Sequence, residues 1–129
     1  TELVSFFSHM LRQEEAQAGE IQFIFCEDAY LLEINKKYLQ HDSLTDIITF
    51  PYNYDPVSCD IYISVERVVE NAKEFKQSFE RELMRVMCHG VLHMLGYGDK
   101  SEQEQRIMSS REDYWLSEAE KRGLFTLSS

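Results

Sequence analysis

Cysteine, proline, glycine and positive charge are all scarce in this chain. Three cysteines occur, at positions 26, 59 and 88. An odd count without repeated spacing argues against a disulfide framework and fits reduced thiols in a cytoplasmic setting. No apolar run is long enough to span a bilayer and no signal-peptide layout opens the chain, so no membrane partner is expected. Two prolines and five glycines accompany no linker, repeat or low-complexity tract, which points to one domain over residues 1–129. Lysine and arginine number 13 against 23 acidic residues, a net charge of −10. That balance argues against a tight, autonomous polyanion binder. Lys36, Lys37, Lys73, Lys76, Arg81 and Arg85 are the cations available for a local patch, each equally readable as part of a solvated helix face.

What is present is an ordinary globular mixture, 43% hydrophobic and 28% charged over 129 residues, enough to bury a real core. Leu3, Phe6, Phe7, Met10 and Leu11 follow the helical period and fade before Gly19. Ile21 to Cys26 reads as a strand. Asp28 is a candidate cap for a helix whose buried stripe is Leu31, Ile34 and Tyr38, with Tyr38 taken as core rather than as a stacking platform. A second strand, Asp46 to Phe50, is expected to stop at Pro51. Tyr52 to Ser58 then reads as a loop too long for a tight hairpin turn.

A third strand covers Asp60 to Ile63. Ser64 caps a helix with an apolar face of Val65, Val68, Val69 and Ala72. Ser78 opens a helix to Leu95. Ser101 and Glu104 form a capping box for a last helix, with Met108 and Trp115 inward and Gly123 at its end. The sum is an α+β domain, a small mixed sheet packed by about five helices.

The chemistry concentrates at residues 89–99. His89 and His93, four apart on a helix, project from one side with Cβ atoms about 5–6 Å apart. Gly96 and Gly98 give a sharp exit that can return Asp99 toward both imidazoles. Two nitrogens and a carboxylate suit zinc, and three protein ligands with an open fourth position mark a catalytic site. The spacing matches the metzincin protease motif, except that the general-base Glu is replaced by Gly90. A glycine cannot take a proton, so the peptidase reading lacks its base. Cys88, about 100° round the helix from His89, reads as a buried inert thiol, and Cys59 lies in a segment that could approach the site. Glu112, beside the inward stripe of the last helix, needs a partner. Orienting a ligand histidine and forming a plain salt bridge are both open.

The run His89-Gly90-Val91-Leu92-His93-Met94-Leu95-Gly96-Tyr97 resembles the H-G-x-L-H-x-x-G-Y signature of the YbeY family of bacterial metal-dependent endoribonucleases. Ile34 and Asn35 followed by Tyr38, Thr45 and Asp46 through Phe50 and Pro51, Asp60 and Ile61, and Met108 four before Glu112 extend the resemblance over most of the chain. Three positions depart from the family pattern. Asp99 stands where a third histidine is common, Leu39 where an arginine follows the tyrosine, and Cys59 where glycine precedes the aspartate. The family usually opens with a strand before its first helix. This chain begins at Thr1 without it, as a fragment would, leaving an N-terminal sheet edge incomplete.

The resemblance implies a zinc-dependent single-strand endoribonuclease acting on rRNA of the small ribosomal subunit, in 16S rRNA processing and ribosome quality control. One zinc would be held by His89, His93 and Asp99. Ribosomal proteins or assembly GTPases are the implied partners, and DNA is not. Attack by metal hydroxide and by the substrate's own 2′-OH both stay open. Two other classes remain: a zincin-like metalloprotease drawing its base from elsewhere in the fold, and a non-catalytic ribosome-assembly module with a structural zinc and a fourth protein ligand.

Overall fold

A computed structural model describes residues 2–39 and 45–125, the side chain of Leu39 excepted. Its elements are α1 (Glu2–Gln13), β1 (Ala18–Cys26), α2 (Asp28–Leu39), β2 (Ile47–Tyr54), β3 (Val57–Ser64), α3 (Val65–Glu74), α4 (Phe79–Met94) and α5 (Glu102–Lys121). The mixed sheet has the order β1-β3-β2, with β1 parallel and β2 antiparallel to the central β3. Five helices on a three-stranded mixed sheet match the expected α+β class. No helix among the described residues is long and apolar enough to cross a membrane.

Alternation along β3 divides the apolar residues between two layers. Cys59, Ile61 and Ile63 point into the main core, with Phe6, Phe7, Met10 and Leu11 of α1, the buried face of α4, and Met108, Trp115 and Leu116 of α5. Tyr62, on the opposite face, joins a smaller cluster with Leu31 and Ile34 of α2 and Ile48 and Phe50 of β2. The sheet therefore separates α2 from α1 and α4. Val68 and Ala72 are the buried part of the α3 face, while Val65 is exposed.

Local signals set most boundaries. The side chains of Ser64, Ser78 and Ser101 accept the N–H groups of Arg67, Arg81 and Glu104, and Glu104 completes the capping box. Asp28 departs from expectation: it is the first residue of α2 instead of its cap. Its carboxylate accepts the Ser64 hydroxyl and the Arg67 Nε–H, tying α2 to α3. Arg67 is a cation, which outbids the N–H groups of its own helix.

The expected loop at 52–58 is a hairpin. β2 continues through Pro51 to Tyr54, and only Asp55 and Pro56 separate it from β3. Proline is tolerated because β2 is an outer strand and the ladder shifts register between Pro51 and Asn53. Tyr38 is a second correction. Its ring is 61% exposed and meets Phe50 edge-on, 6.0 Å between centroids, instead of lying in the core.

Candidate metal centre

α4 carries His89 and His93 at its C-terminal end, and Gly96, at φ 99°, turns the chain back. A non-glycine residue would be strained at that angle. The turn brings Asp99 Oδ2 to 3.4 Å from His89 Nε2 and 3.4 Å from His93 Nε2. Donor atoms of the three residues all lie within 4.8 Å of one another. Zinc bonds of about 2.0–2.2 Å in a tetrahedron imply ligand atoms about 3.4 Å apart, the separation found between Asp99 Oδ2 and each imidazole. Gln105 Nε2 donates to the Asp99 carbonyl and holds the loop against α5.

The far side of His89 is equally defined. His89 Nδ1 lies 2.6 Å from Glu112 Oε2. With Glu112 ionised, Nδ1–H donates and the Nε2 lone pair faces the cluster, the tautomer a metal requires. Burial alone would pull the His89 pKa down. The Glu112 hydrogen bond and the negative charges of Glu112, Asp99 and Asp46 outweigh it and leave the pKa raised. Such a field stabilises any cation held at Nε2.

The other Glu112 oxygen accepts from Arg85 Nη1 at 3.1 Å, so this carboxylate meets both His89 and a cation. Arg85 also pairs with Glu82, which is almost wholly buried. Arg85 is therefore not available to a local surface patch: its guanidinium neutralises two buried carboxylates of the fold. Arg81 lies 4.0 Å from Glu120, and Lys73 3.9 Å from Glu70.

Gly90 faces the sheet. A Cβ there would come within 2.9 Å of Ile47 Cδ1 and 3.1 Å of Ile61. The position that holds the base in a metzincin is thus spent on packing α4 against β2 and β3. Cys88 is fully buried, which raises its thiol pKa far out of reach. Cys59 is buried within β3, where burial and Asp60 push its thiol up to about 11. Neither joins the cluster. The side chain of Leu39, where the resemblance places an arginine, lies outside the described residues.

Asp46, absent from the expected site, also acts on His89 through its negative charge. It immediately precedes Ile47, and the close approach at Gly90 brings that end of β2 to α4. Its only sequence signal was membership of the family-like run from Thr45 to Pro51.

The family model described as Endoribonuclease YbeY matches residues 1–120. A protein of Flavobacterium psychrophilum named Endoribonuclease YbeY is 54% identical over 114 residues, spanning 88% of this chain and 81% of that protein. Its namesake in Flavobacterium johnsoniae is 52% identical over 109 residues, 84% of this chain and 78% of that one. The solution structure of TM1509 from Thermotoga maritima superposes with a TM-score of 0.70 at 28% identity, covering 94% of this chain and 81% of the other.

Proposed function

The chain belongs to the Endoribonuclease YbeY family, and from that premise we propose that it is a zinc-dependent hydrolase cutting single-stranded RNA, with His89, His93 and Asp99 as the ligands. The whole described chain would act as one domain, in the cytoplasm, on rRNA of the small ribosomal subunit. The observation that carries the reading is the convergence of His89 Nε2 and His93 Nε2 on Asp99 Oδ2, each at 3.4 Å. Three donors among the described residues favour an open coordination position over a closed structural site. Ribosomal proteins and assembly GTPases are the partners that family membership suggests.

Bound zinc would supply Lewis acidity toward a phosphodiester oxygen. The chain's own residues do the rest. Glu112 holds the Nδ1 proton of His89 and fixes the ring, while Arg85 balances the charge of Glu112. The Gly96 turn holds Asp99 opposite the imidazoles. Single strands are favoured because their sugars and phosphates can bend to meet a metal, which a stiff duplex cannot do.

The test compares wild type with His89→Ala/His93→Ala, purified in parallel, on single-stranded RNA and on duplex of the same sequence. Chelator-sensitive cleavage of the single strand by wild type alone is expected. Equal degradation by both proteins would remove the enzyme reading in favour of an assembly module. Chelator-sensitive cleavage of denatured casein would promote the protease alternative.

A further inference from the structure

On the face of the sheet away from α4, four rings form a continuous strip. Ring centroids are 6.4 Å apart for Tyr30 and Tyr62, 5.7 Å for Tyr62 and Phe50, and 6.0 Å for Phe50 and Tyr38. The outer rings stand in solvent, Tyr30 50% and Tyr38 61% exposed. Leu31 and Ile34 already supply the buried contacts of α2, so the fold does not need either tyrosine as core. Between them runs a groove of about 180 Å³, lined by Tyr30, Glu33, Ile34, Lys37 and Tyr38. The Lys37 ammonium sits 5.4 Å from the Tyr38 ring centroid.

β2 links this strip to the metal centre. Its Ile47 packs with the main core beside Gly90, whereas Ile48 and Phe50 lie on the strip side. Ile47, which meets Gly90 next to His89, is three residues from Phe50, about 10 Å along a strand at ~3.3 Å per residue. Among the described residues β2 is an outer strand, so the strip and the metal centre lie on the two faces of one outer strand. The groove has the chemistry of a nucleobase site: exposed aromatic rings for stacking, and a lysine at the outer ring for a phosphate. Glu33 offsets Lys37, which makes stacking the principal attraction.

We propose that the Tyr30–Tyr38 groove binds an unstacked base of single-stranded RNA a few nucleotides from the point of cleavage. The proposal rests on the endoribonuclease reading for its ligand, and it gives that reading a reason to discriminate against duplex: paired bases keep their faces stacked on each other and cannot offer them to a tyrosine.

The test is steady-state cleavage of a single-stranded oligouridylate by the zinc-loaded chain, with binding of the same labelled oligomer followed by anisotropy. Tyr30→Ala/Tyr38→Ala should raise KM and Kd roughly tenfold or more, the loss expected for one or two stacked bases, with kcat little changed. Tyr30→Phe/Tyr38→Phe keeps the rings and should behave as wild type. An oligomer with an abasic nucleotide at the bound position should bind wild type more weakly and lose nothing further in the alanine variant. Unchanged KM and Kd in the alanine variant, or equal losses in the phenylalanine variant, would overturn the proposal. Should wild type cleave no better than His89→Ala/His93→Ala, the endoribonuclease reading fails instead, and the anisotropy series still decides whether the groove binds RNA.

Discussion

The Tyr97 hydroxyl donates to Glu14 Oε2 at 2.8 Å, joining the loop that carries Asp99 to the end of α1. The other Glu14 oxygen accepts from Arg111 Nε at 3.1 Å and from Trp115 Nε1 at 3.2 Å. One carboxylate thus fastens α1, α5 and the turn beyond His93.

Glu14→Gln removes the charge from this junction and should cost about 2 kcal/mol at neutral pH, through weakened charge-assisted bonds. Burial alone would raise the Glu14 pKa, but its bonds to Arg111, Tyr97 and Trp115 outweigh that and hold it low. A lowered folded-state pKa contributes stability that is complete above the ordinary carboxylate range and lost as pH falls through the lowered value. The gap between wild type and Glu14→Gln in urea denaturation should therefore narrow in acid. A gap that stays constant on acidification would contradict the assignment.

Glu112→Ala should weaken zinc binding roughly 10- to 100-fold, because His89 loses the partner that sets its tautomer. Competition against a chromophoric chelator measures this directly. Affinity equal to wild type would make Glu112 a purely structural residue.

Purified protein should carry close to one zinc per chain, and His89→Ala/His93→Ala should carry none, by elemental analysis. Asp99→His should retain the metal, since imidazole is an equally good third donor. Zinc lost from Asp99→His but kept by Asp99→Ala would show that position 99 is not a ligand.

Arg85→Ala should destabilise the fold by about 3 kcal/mol or more, because it strands Glu82 and Glu112 in the interior without their cation. Arg85→Met/Glu82→Leu should recover part of that loss. The check is the denaturation midpoint of each variant, and an Arg85→Ala midpoint within error of wild type would exclude the network.

Gly90→Glu should lower the thermal midpoint markedly without creating a peptidase. The new side chain would enter the packed space between α4, Ile47 and Ile61 and bury a charge there. A stable Gly90→Glu variant that cleaves casein would refute this placement.

Much of the site was legible in the chain order because it is built from short-range relations. The four-residue spacing of His89 and His93, the glycine exit and the serine caps are properties of one helix and its ends, and local backbone geometry determines them. The strand and helix periods likewise pointed to the α+β class. Tertiary structure decided the rest, through partners distant in sequence. Arg85 reads as a surface cation until α5 brings Glu112 against it. Asp28 reads as a cap until α3 offers Arg67. Tyr38 continues an apolar stripe, yet its ring is left in solvent beside Phe50. Pro51 breaks a strand in isolation but is accommodated where β2 is the outer strand of the sheet. Apart from the Arg85–Glu82 pair, three apart on α4, the decisive energy is a charge pair, a contact or a desolvation that exists only once two remote segments are packed together.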